Sequence, residues 1–175
     1  MGWTVTPVRP PVVVHYSEDP GIEVFIPHVP ATNPGHAPRV WTIEPAYAPL
    51  YWFPRDCPRV AVWAHDDAQR EFLLQALGST ADRVQFARVA DEAWIRSTTL
   101  CEYAFAADDF EALPDAEGHW VSAHSVEPAG RRMMGDLVET QAGAGVDLRL
   151  VENLAPVREA VLASGLPFSV VRWRA

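Results

Sequence analysis

Histidine, carboxylate, cysteine and arginine side chains carry whatever acid–base, nucleophilic or anion chemistry this chain can do, and a few places gather them. His15 ends an all-valine run, Val12-Val13-Val14, and precedes Tyr16-Ser17-Glu18. Polar groups clustered where a strand meets a loop commonly face a ligand, because the strand fixes them and the loop leaves them accessible. The competing reading is a core histidine hydrogen-bonded to nearby backbone. The string Phe53-Pro54-Arg55-Asp56-Cys57-Pro58-Arg59 is the most unusual in the chain. Two prolines bracket Arg-Asp-Cys and make a rigid corner. An arginine beside an aspartate can bind an anion, and Cys57 becomes a nucleophile if its pKa falls. Otherwise Arg55 and Asp56 satisfy loop backbone groups, and Cys57 packs as a small apolar residue.

Other chemistries find less. Asp108, Asp109, Glu111, Asp115 and Glu117 form a charge run of the kind that is usually solvated, and no carboxylate pair suited to glycoside cleavage stands out. His119 and His124 are five apart in an expected strand, so they face opposite sides and cannot share an ion. His28 and His36 share a loop, and His65-Asp66-Asp67 reads as a helix start. No metal site is expected, and no GxGxxG, P-loop, HExxH or GxSxG pattern occurs. Trp41, Tyr47, Tyr51, Trp52, Phe53 and Trp63 are dense. Such a group is core material first, yet some of it can line a planar-ligand pocket.

The elements that must position these residues follow from composition and spacing. The chain has 175 residues, 49% of them hydrophobic and 21% charged, which fits one packed domain. A net charge of −9 argues against nucleic acid or an anionic membrane as partner. All fourteen basic residues are arginine, so no lysine is present to form a Schiff base. No apolar run reaches the ~20 residues that span a bilayer, and residues 1–11 lack a signal-peptide pattern. Two cysteines make no disulfide framework, so a cytoplasmic location is expected. Residues 1–11, with Pro7, Pro10 and Pro11, read as a flexible arm before a single globular domain over 12–175.

Strands are expected at Val12–Tyr16, Ile22–Ile26, Arg39–Ile43, Arg59–Ala64, Val84–Val89, Leu100–Phe105, His119–Val126, Asp147–Val151 and Phe168–Trp173. Asp66, Gln69 and Gly78 bracket a helix over Asp67–Leu77, with Phe72, Leu73, Ala76 and Leu77 as its apolar stripe. Asn153 and Gly165 bracket another over Leu154–Ser164. Pro49 permits only a short or irregular helix over Pro45–Phe53, and further short helices are expected from Asp91 and around Met133–Ala142. The expected class is α+β, with a mixed, mostly antiparallel sheet and several short helices.

The segments HYSEDPGIEVFIP, RVWTIEPAYAPLYWFPRDCPRVAVWA and VDLRLVENLAPVREAVLASGLPFSVVRWR resemble an uncharacterised bacterial family. Its members open with a His-Phe/Tyr-Ser-Glu strand and carry the Phe-Pro-Arg-Asp-Cys-Pro-Arg block. A more remote similarity is to the ADP-ribosyltransferase fold. There, His15 and Ser17 would match the first strand, and Trp41, before Pro45–Phe53, the aromatic strand, with Trp in place of the usual Tyr. Leu100–Phe105, the acidic loop and Gly118-His119-Trp120-Val121-Ser122 would match the rest, with Glu117, His119 and Ser122 competing for the third position. That similarity implies an NAD- or nucleotide-binding transferase. His15 would hold a ribose hydroxyl, Ser17 would belong to the same cofactor site, and Trp41 or Tyr47 would stack on nicotinamide. Arg55 would meet the pyrophosphate, and Glu117 or His119 would stabilise an oxocarbenium-like charge. The alternative is a non-catalytic binding protein whose aromatic cluster forms an interface.

Overall fold

Twelve of the sixteen prolines fall before residue 59, and the strands they interrupt are short. The computed structural model describes residues 8–31 and 34–173. Its strands are β1 (Val12–Ser17), β2 (Val40–Ile43), β3 (Arg59–Trp63), β4 (Arg83–Arg88), β5 (Leu100–Ala106), β6 (Glu111–Ala112), β7 (His119–Ser122), β8 (Gly130–Met134), β9 (Asp147–Val151) and β10 (Phe168–Val171). Its helices are α1 (Asp67–Leu77), α2 (Glu92–Ser97), α3 (Leu137–Gly143) and α4 (Leu154–Ala163), with a 3₁₀ turn at Pro45–Tyr51. The class is α+β, and no described helix is long and apolar enough to cross a membrane.

The chain separates into two compact units, each made of two stretches. Met1–Ala48 and Cys101–Met133 form unit 1; Pro49–Leu100 and Met134–Ala175 form unit 2. Unit 1 holds a six-stranded sheet in the order β6-β7-β2-β1-β5-β8. Strand β1 runs antiparallel to both β2 and β5, and β7 antiparallel to β2 and β6. Alternation along the strands sends Val13, Val40, Tyr103, Phe105 and Trp120 to one face, where they pack with Phe25, Phe110 and Val126. The buried Tyr103 hydroxyl donates to the Asp19 carbonyl at 2.7 Å and accepts from the Ile22 amide at 3.0 Å, so it tethers the Asp19-Pro20-Gly21 turn. On the opposite face Tyr16 donates to Glu102 at 2.5 Å, and Arg132 meets the same carboxylate with two nitrogens, at 2.6 and 3.1 Å.

Unit 2 holds a four-stranded sheet, β10-β3-β4-β9, antiparallel except for the parallel β4–β9 pair. One face carries Val60, Val62, Val84 and Phe86 beneath Leu73 of α1 and Leu154 and Val161 of α4. Asp66 caps α1 by accepting from the Gln69 amide at 2.8 Å, and Gln69 returns the contact by accepting from the His65 amide at 2.7 Å. Gly78, at φ 63°, ends the helix in the left-handed conformation. Asn153 caps α4 through the Ala155 amide.

Four expectations change. Ile22–Ile26 contributes a single bridge, Phe25 to Val126, because Pro20 and Pro27 leave no room for a ladder. The strand expected over His119–Val126 stops at Ser122, whose hydroxyl accepts from the His124 amide and turns the chain. Met133–Ala142 splits: β8 runs to Met134, and α3 begins only after Asp136 caps the Glu139 amide. The α1 stripe is narrower than expected, with Leu73 buried, Leu77 half-buried and Phe72 exposed. Residues 1–7 of the expected arm lie outside the described residues. Within its remainder Arg9 donates to the carbonyls of Ala107 and Phe110, and its guanidinium lies 5.3 Å from the Trp120 ring centre.

Candidate functional site

Strand register decides which of the candidate side chains meet. Ile43 pairs with Val14 on one side and with His119 on the other, and Trp41 pairs with Val121. Val14, Ile43, Trp41 and His119 therefore share one face of the unit 1 sheet. His15, Val13 and Ser17 point to the other face, where His15 pairs with Tyr103 in β5. His15 Nδ1 lies 2.8 Å from the Trp41 carbonyl oxygen, and its ring packs edge-on against Phe25 at 5.0 Å. A carbonyl only accepts, so Nδ1 carries the proton in that contact. His15 and His119 are thus on opposite faces of the sheet. Ser17 sits at the end of β1, where its hydroxyl accepts from the Asp19 amide at 3.1 Å in a turn.

Around Trp41 the structure does gather groups. The half-buried Trp41 ring has the His36 ring at 5.8 Å and the His119 ring at 6.3 Å, both edge-on. Its indole Nε1 is shielded from solvent and meets no acceptor among the described residues. An unpaired buried N–H costs about 1–3 kcal/mol, and such a group calls for an explanation. His119 Nδ1 lies 3.0 Å from the Glu117 carbonyl, which fixes the donor on that nitrogen. Burial lowers the His119 pKa from its usual value, so the ring is neutral at pH 7.

The same strand start holds Tyr47 and Glu117 together. The Tyr47 hydroxyl donates to Glu117 Oε1 at 2.5 Å, and the Tyr47 ring lies flush on the backbone of Gly118. Gly118, at φ 75°, is what permits that approach. The Glu44 amide bonds to the Gly118 carbonyl at 2.8 Å, and Glu44 Oε1 accepts from the Trp120 indole at 2.8 Å. Trp41, Tyr47, Glu117 and His119 therefore all belong to unit 1, near the β2–β7 pair. Arg55 belongs to unit 2, where it is exposed and its carbonyl accepts from Arg172 Nε at 3.4 Å. His36 and Gly118 carry more of this site than the sequence reading assigned them. The available signals were a glycine directly before a strand and a histidine in a proline-rich loop.

Cys57 offers no activated thiol. It is fully buried, and burial, with the Asp91 carboxylate nearby, pushes its pKa up to about 11. Cys101 is equally buried. In the native protein both cysteines are expected to react with iodoacetamide far more slowly near neutral pH than they do in guanidinium. A native Cys57 that alkylates as fast as the unfolded one would contradict this account.

A family model described as a family of unknown function, DUF6886, matches residues 14–175. No curated protein and no solved structure matches the chain.

Proposed function

We propose the following reading for this chain, which belongs to the DUF6886 family of unknown function: unit 1 binds a planar heteroaromatic ring, of the nicotinamide or nucleobase kind, at Trp41, His36 and His119. The observation that carries it is the Trp41 indole, flanked by two histidine rings with its N–H unpaired among the described residues. A flat apolar face supplies stacking area, and the neutral His119 ring stands beside it without charge repulsion. NAD or a related nucleotide is the ligand class that the remote transferase similarity implies. Binding is favoured over ADP-ribosyl transfer. Transfer would need His15 in the same cleft, and it faces the other side of the sheet. Glu117, the candidate acid, is already taken up by the Tyr47 hydroxyl.

Thermal unfolding with NAD, ADP-ribose, ATP and nicotinamide tests the reading. A ligand at a hundred times its Kd stabilises by about 2.7 kcal/mol, which for a chain of this size raises Tm by roughly 5–10 °C. The shift should disappear in Trp41→Ala and shrink in His36→Ala, whose side chain lies in an exposed loop. No shift at millimolar ligand, or an undiminished shift in both variants, removes the reading. A flat panel favours a second one, in which unit 1 takes a protein partner along Val24, Ile26 and Val29. All three are exposed, Ile26 to 68%.

A further inference from the structure

We propose that the corner of unit 2 where β3 begins and β10 ends binds a phosphate group through Arg59 and Arg172. Arg59 is 6% exposed. Its Nε donates to the Leu50 carbonyl at 3.0 Å and its Nη1 to the Cys57 carbonyl at 3.1 Å. The rings of Phe53 and Tyr51 lie 5.1 and 6.0 Å from its guanidinium carbon. Nη2 meets no acceptor among the described residues, and no described carboxylate comes within ion-pair distance of the group. Burial lowers its pKa to about 10, which still leaves it charged at neutral pH. A buried cation held only by carbonyls and ring faces is incompletely compensated.

The surroundings add positive charge. Val171 pairs with Arg59, so Arg172 follows directly beside it. Arg172 takes the left-handed backbone conformation, φ 53°, which a residue with a side chain adopts at some cost. Its Nε lies 3.3 Å from Asp56 Oδ1 and donates to the Arg55 carbonyl. Arg59 and Arg172 stand against one carboxylate, Asp56, a surplus of one positive charge. Arg88 and Asp91 neutralise each other through two contacts, at 2.7 and 3.0 Å. A phosphate group carries about −1.5 to −2 near neutral pH, so that surplus attracts it, and the guanidinium fork suits its oxygens. The whole chain is acidic, at −9, so this surplus is a local feature.

Calorimetric titration of the full chain with inorganic phosphate tests the proposal, alongside sodium acetate and sodium chloride at matched ionic strength. Phosphate should bind saturably and raise Tm beyond the salt controls. Arg172→Gln, which leaves the buried contacts of Arg59 in place, should weaken binding about tenfold by removing one charge-assisted contact. Arg131→Gln, an exposed arginine of unit 1, should leave Kd unchanged. Circular dichroism of each variant separates lost binding from lost folding, which is why Arg59 itself is left intact. The proposal is overturned by phosphate heats no larger than those of chloride, by equal affinity in Arg172→Gln, or by acetate binding as tightly as phosphate.

Discussion

Gly118→Ala is expected to destabilise the protein by about 2–5 kcal/mol, a sum of left-handed backbone strain and overpacking. The new Cβ would lie 2.4 Å from Tyr47 Cδ2 and 2.5 Å from its Cγ, distances no side chain tolerates, and φ is 75°. The tyrosine ring cannot slide away freely, because its hydroxyl is bonded to Glu117 on the residue next door. Relief therefore means displacing either the ring or the start of β7, and both carry the candidate site. Gly78→Ala is the matched control: φ is 63°, yet nothing lies within 4 Å of the added carbon. Only the backbone term applies there, about 1 kcal/mol. Chemical denaturation of the two variants reads the difference. Equal losses would mean that the Tyr47–Gly118 approach is looser than described.

Gln141→Leu is expected to cost about 2–4 kcal/mol, through a buried polar group that loses its partner. Gln141 is 0% exposed. Its Nε2 donates to the Trp52 carbonyl at 2.9 Å, and its Oε1 accepts from Gln85 Nε2 at 2.7 Å. Gln85 Nε2 also reaches the Pro49 carbonyl at 3.0 Å, while Gln85 Oε1 has no partner among the described residues. With the Arg59 contact to Leu50, three buried polar side chains hold the carbonyls of residues 49, 50 and 52 at the end of the 3₁₀ turn, where the Pro49 carbonyl also accepts from the Trp52 amide at 3.2 Å. Leucine keeps the volume and removes the donor, so the loss reports the hydrogen bonds more than a cavity. Gln85→Leu on the Gln141→Leu background should add less than it does alone, since its partner is already gone. Simple additivity would show that the two amides act independently.

What can be read from the sequence here is what acts locally. Asp66, Gln69 and Gly78 announce α1 because caps and stops work through bonds between near neighbours. The α+β class follows from the strand and helix patterns for the same reason. Register is another matter. His15 and His119 fall on opposite faces only because Val14 meets Ile43, and a slip of one residue would reverse that. Nothing local to either histidine encodes the pairing. Trp41, Tyr47, Glu117 and His119 stand out as residue types, whereas the contribution of His36 depends on where a loop returns. Arg59 looks like any surface arginine at a strand start, and its burial comes from the turn folded over it. The division into two units is equally hidden, since no shift in composition marks residues 48, 100 or 133.

That interleaving bears on how the chain is made. Synthesis proceeds from one end, so unit 1 waits for residues 101–133 while the first half of unit 2 is already out of the ribosome. Within unit 2, Val62 of β3 must wait for its partner Phe168 of β10. At about 5–20 residues per second that delay is roughly 5–20 seconds. During it, one edge of β3, a strand buried along its whole length in the finished protein, has no neighbour. An unpaired apolar edge of that kind is where nascent chains stick to one another. Recovery of soluble protein should therefore depend on translation speed and chaperone supply more than its native stability alone would suggest.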